Sequence, residues 1–162
     1  MIKFMVIGLP RSRTTWMANW LTTTDTLCLH DPLANYTIPE LDNYSTDKLF
    51  GISDTAIHMF GGKLNSHPAK KLIIHRPLRE INESLGGPYM QPKHINLLKE
   101  IKGMHVDYCD LNRMGKDIWS FLIGSKFDSE RFRQLIGMNV QPHFSELKPI
   151  NKAKIQEWLG RN

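Results

Sequence analysis

The chain has 162 residues, enough for one well-buried domain and short for two. Hydrophobic residues make up 41% of it and charged residues 23%, which excludes a disordered or fibrous chain. The net charge of +5 is spread along the sequence and suits an anionic small ligand as well as nucleic acid. Two cysteines, Cys28 and Cys109, are too few for a disulfide scaffold or a four-ligand metal site, and both read as buried thiols. The apolar start, Met1 to Gly8, is too short for a signal peptide, and no stretch approaches the roughly 20 apolar residues of a membrane span. A reducing, cytoplasmic setting is the expectation.

Phe4 to Ile7 reads as a central strand, apolar on both faces. The loop Gly8-Leu-Pro-Arg-Ser-Arg follows, and then a helix from Thr14 to Leu21 with Trp16, Met17 and Trp20 as its apolar stripe. Thr26 to Leu29 reads as a second strand ending at His30-Asp31-Pro32, and residues 34–50 as largely irregular with one short helix. Ile52 to Met59 is expected to be a third strand, and Lys71 to His75 a fourth. Pro77 opens a helix carrying Leu78, Ile81 and Leu85, and Lys93 to Lys102 forms another. Met104 to Tyr108 is the last strand. Asn112, Asp128 and Asn151 are expected to cap three further helices. Short apolar strands alternating with helices predict an α/β fold, a single domain over residues 1–162 with a central parallel sheet flanked by helices. Strand order is not readable from this pattern.

Two segments carry chemistry. The first is Gly8 to Thr15, at a strand-to-helix junction where free N–H groups and the positive helix end face the carboxyl edge of a parallel sheet. Arg11 and Arg13 add positive charge, and Ser12, Thr14 and Thr15 add hydroxyl donors, a set suited to phosphate or sulfate. Aligned on the nucleotide-triphosphate loop G-x-x-x-x-G-K-[ST], only Gly8 and Thr15 are in register. In the second segment Arg76 lies just past a buried strand, and Ser84 follows about two helical turns beyond the helix start, so together they can grip another anionic group. Arg79 has the ordinary i+4 partner Glu83.

These residues resemble the signatures of the PAPS-dependent sulfotransferases, a P-loop-related family that transfers a sulfuryl group from 3'-phosphoadenosine 5'-phosphosulfate. Its first motif, roughly P-[KR]-S-G-T-T-[WL], is similar to Pro10-Arg-Ser-Arg-Thr-Thr-Trp16, and its second to Arg76-Pro77 with Ser84. Val106 to Leu111 resembles the strand ending in Y-E-D-L, and Phe121 to Gly124 the later F-L-G, so the resemblance runs roughly from Met1 to Gly137. It implies that Arg11, Ser12, Thr14 and Thr15 hold the 5'-phosphosulfate, with Arg11 at the bridging oxygen. It further implies that Arg76 and Ser84 bind the 3'-phosphate and that Trp16 lies near the adenine. Arg13 stands where the family has glycine, so its side chain either leaves the phosphate cradle or becomes part of it.

The implied reaction is in-line sulfuryl transfer to a hydroxyl or amine of a small-molecule or glycan acceptor, with PAP as product and no metal required. A base must take the acceptor's proton. Two candidates stand open: Asp31, which resembles the E-P of some family members, and His58, expected to end the third strand. His30 is expected to point the other way from Asp31. A small-molecule or nucleotide kinase and a non-catalytic anion-binding module are the alternatives. The first lacks the Gly-Lys pair, and a nucleic-acid module lacks a basic-aromatic stripe.

Overall fold

The computed structural model describes residues 1–138. Five strands, β1 (Phe4–Gly8), β2 (Thr26–His30), β3 (Leu49–Asp54), β4 (Lys70–His75) and β5 (Met104–Asp107), form one parallel sheet in the order β2-β3-β1-β4-β5. β1 lies at its centre, where all five residues are buried. Alternate side chains of a strand point to opposite faces, so β1 feeds two cores. Phe4 and Val6 pack with Leu72, Ile74 and Val106 on one face; Met5 and Ile7 pack with Phe50, Ile52 and Ile73 on the other.

The first face is covered by α1 (Thr14–Leu21), α5 (Gly115–Leu122) and α6 (Ser129–Ile136), through Trp16, Met17, Trp20, Ile118, Trp119 and Phe132. The Trp20 ring lies 5.6 Å from Trp119 and 4.9 Å from Phe132, a packed aromatic centre. The opposite face carries α2 (Ile38–Asp42), α3 (Leu78–Leu85), α4 (Pro92–Glu100) and a 3-10 segment, Ile57–Ser66, anchored by Leu41, Ile81, Leu98 and Ile57. Helices on both faces of a parallel sheet give the expected α/β architecture, compatible with a P-loop-like fold.

β1 connects through α1 to β2 across one face, whereas β4 connects through α3 and α4 to β5 across the other. The connections diverge between β1 and β4, which makes the carboxyl ends of these two strands the topological switch point, the place where open parallel sheets bind ligands. No helix of the described residues is long and apolar enough to cross a membrane.

Four expectations are corrected. The third strand stops at Asp54, because the buried Asp54 carboxylate accepts from the N–H groups of Leu33, Ala56 and Ile57 and turns the chain. His58 therefore lies beyond the strand, in the 3-10 segment. Asn112 does not cap α5, whose N-cap is Met114; its side chain accepts from Arg13 instead. Cys109 is exposed, whereas Cys28 is buried and its thiol is pushed far upward by desolvation. Pro77 caps α3 in extended geometry and does not open it from within. The Asp128 cap forms as expected, accepting from the Arg131 N–H at 2.9 Å. The helix expected after Asn151 lies outside the described residues.

Candidate active site

Gly8 ends β1 where the chain must fold back tightly: a Cβ on it would stand 3.1 Å from the Ser12 Cβ. Two residues of the loop then take the left-handed conformation, Arg11 (φ 67°) and Arg13 (φ 63°). This costs a non-glycine residue about 1–2 kcal/mol. Arg13 is the N-cap of α1, so a left-handed backbone that favours glycine carries a bulky side chain here. That side chain leaves the loop sideways: its Nη1 donates to Asn112 at 2.8 Å, and its guanidinium sits 5.5 Å from the Tyr108 ring and 5.8 Å from Trp16.

Inside the loop, Ser12 is 0% exposed, and its Oγ has no hydrogen-bond partner among the described residues. A buried hydroxyl without a partner is uncommon, because its desolvation is then uncompensated. Thr14 is buried at the start of α1, and its carbonyl accepts from Ser53 Oγ of β3 at 2.8 Å, which ties the helix start to the sheet. Arg11 makes no ion pair among the described residues.

Arg76 follows β4 directly, and β4 is the neighbour of β1. Its guanidinium donates to the backbone carbonyl of Arg11, joining the two basic segments at one edge of the sheet. It also lies 4.5 Å over the Tyr108 ring and pairs with Glu80 at 3.2 Å. Ser84 is half-buried in the last turn of α3. Arg79 pairs with Glu83 at 3.5 Å on the surface, as its spacing predicted.

Trp16 does not fit the expectation of a ring near adenine. It is 4% exposed, its Nε1 donates to the Leu135 carbonyl at 2.8 Å, and its indole packs on Trp20 and Phe132. An indole whose ring and N–H are both taken by the core presents no face to a base.

The two base candidates have different surroundings. Asp31 leaves β2 in a left-handed turn (φ 46°), and its Oδ1 accepts from the Thr55 N–H at 2.8 Å and the Thr55 hydroxyl at 3.1 Å. His58 is 5% exposed; its Nδ1–H donates to the Thr55 carbonyl at 2.6 Å, its ring meets His94 edge-on, and its Nε2 is buried without a partner among the described residues. Burial pushes its pKa below the ordinary histidine value, with the neighbouring His94 adding to that shift.

His30 was missed. Its Nε2 lies 3.0 Å from Thr15 Oγ1, 3.5 Å from Thr14 Oγ1 and 3.3 Å from Asp31 Oδ2, so it faces the loop and not away from it. The signal available in the sequence was Asp31-Pro32 directly after the strand. A turn there ends the simple in-out alternation on which the expectation for His30 rested. Compared with protein-family models and with curated proteins, the chain matches none.

Proposed function

We propose that the chain is a sulfotransferase that binds 3'-phosphoadenosine 5'-phosphosulfate in the crevice between β1 and β4 and transfers its sulfuryl group to a hydroxyl or amine. The observation that carries this reading is the contact of the Arg76 guanidinium with the Arg11 carbonyl. It brings the two basic segments together at one edge of the sheet, which supports a ligand that carries two anionic groups.

In this reading the N–H groups at the start of α1 and the hydroxyls of Ser12, Thr14 and Thr15 hold the 5'-phosphosulfate. Ser12 Oγ, otherwise unpartnered, gains an acceptor. Arg11 meets the oxygen on which charge develops as the sulfur–oxygen bond breaks, and Arg76 with Ser84 takes the 3'-phosphate. Arg13 supports the loop from the side through Asn112 and Tyr108. The acceptor's proton leaves at the end of β2, where Asp31 stands. His58 contributes packing, because its imidazole is enclosed.

The test is release of PAP from PAPS, measured across hydroxyl and amine acceptors with wild type and Arg11→Ala. Arg11 acts on charge that appears only in transfer, so its loss lowers turnover by about 10²–10³ and PAP affinity far less. Equal losses in turnover and affinity contradict the role of Arg11, and absence of PAP binding contradicts the donor assignment.

A further inference from the structure

We propose that His30 is the catalytic base of this site and Asp31 its positioning residue, an inference that rests on the sulfotransferase reading. Of the two candidates suggested by sequence, one has its carboxylate engaged and the other is shut away from an entering acceptor. Asp31 Oδ1 already accepts two bonds from Thr55, and Oδ2 faces His30 at 3.3 Å. The ring of His58 is enclosed between the Thr55 carbonyl and His94.

His30 differs in three respects. Its side chain is 30% exposed at the carboxyl edge of the sheet, within reach of an entering acceptor. Its Nε2 borders Thr14 and Thr15, the first two residues of α1, where the transferring group is held in this reading. The same nitrogen has a hydroxyl on one side and a carboxylate on the other.

That arrangement accommodates both protonation states. With a proton on Nδ1, the Nε2 lone pair accepts from Thr15 Oγ1 or from an acceptor hydroxyl standing in its place. The acceptor O–H proton passes to Nε2, the acceptor oxygen bonds to sulfur, and the bond from sulfur to the phosphate oxygen breaks with its electron pair leaving on PAP. The imidazolium then donates Nε2–H toward Asp31 Oδ2, whose negative charge stabilises it. The left-handed backbone of Asp31 and its two bonds from Thr55 hold the carboxylate in that place. Of the described neighbours of His30, Thr14 and Thr15 come from α1 and Ser53 is its β3 partner, while Asp54, next to Ser53, turns its carboxylate to three amides.

The experiment compares wild type, His30→Gln and Asp31→Asn. PAP affinity is measured by calorimetry, PAPS-to-PAP turnover from pH 5 to 9, and the His30 ring nitrogens by NMR with PAPS added. The expected result is a 10²–10⁴-fold lower turnover for His30→Gln with PAP affinity within about threefold, and loss of the acidic limb of the pH profile. Asp31→Asn keeps that limb and lowers turnover less than His30→Gln does, because the imidazole remains but has lost the carboxylate that positions it. PAPS shifts the His30 nitrogen resonances in wild type. Unchanged turnover and limb in His30→Gln, or His30 resonances indifferent to bound PAPS, overturn the assignment of His30 while leaving the donor site standing. Failure of wild type to bind PAP overturns the donor reading itself.

Discussion

At the scale of single residues, the loop that opens α1 is built on backbone conformations that its side chains do not favour. Arg13 occupies a left-handed N-cap and is held there by Asn112, Tyr108 and Trp16. Arg13→Gly and Arg13→Ala both remove the guanidinium, but only glycine relieves the backbone. The glycine variant is therefore expected to be the more stable of the two by about 1 kcal/mol in urea unfolding, and equal midpoints would contradict a strained N-cap. Arg76 invites a sharper comparison. Arg76→Ala is expected to weaken PAP binding by about 10- to 100-fold and to leave binding of adenosine 5'-phosphosulfate, which lacks the 3'-phosphate, nearly unchanged. Equal losses for the two ligands would remove the 3'-phosphate from Arg76. The loop and the Arg76 segment were legible in the sequence because hydroxyls and arginines crowd a strand-to-helix junction more densely than a helix cap needs. His30 was not, since its direction depends on the turn at Asp31. His58 was misread because the apolar run continues past Asp54, and only the three amides converging on the Asp54 carboxylate reveal where the strand stops.

At the scale of elements, hydrophobic pattern located the strands and helices within a few residues, apart from the end of β3. Caps were legible where the side chain has no competing partner. Asp128 caps α6, but Asn112 is drawn away by an arginine 99 positions earlier in the chain, which no local pattern reports. The register of β1 against β3 has its own requirement. Phe4 pairs with Gly51, and a Cβ on Gly51 would fall within the Phe4 ring. Gly51→Ala is expected to destabilise the fold by about 1–3 kcal/mol through overpacking, read as a lower urea midpoint with an unchanged slope. A neutral effect would mean that Phe4 has another place to go.

Across the whole molecule, strand order was beyond the sequence because it is set by which helix covers which face, a choice made by packing and not by periodicity. The order places the ends of β1 and β4 side by side, and this neighbourhood brings two basic segments far apart in sequence into contact. The same packing gives the fold a dependence on pH. Burial lowers the pKa of both His58 and His75, the latter stacked on His105 with ring centres 5.0 Å apart. Their native pKa values lie below those of the unfolded chain, so the unfolded state binds more protons as pH falls through the ordinary histidine range. Stability is accordingly full above about pH 6.5 and is lost on acidification below it. The urea midpoint should fall between pH 7.5 and 5.5, and less steeply in His58→Gln; a pH-independent midpoint would contradict the buried neutral imidazoles.

The central claim is that one crevice receives a nucleotide through two separated anionic groups, and calorimetric titration of the wild-type chain tests it most directly. Saturable binding of one PAP per chain is expected, with no comparable binding of ATP with Mg²⁺. Binding of ATP with Mg²⁺ in the absence of any PAP binding would contradict it and point to a phosphoryl-transfer loop.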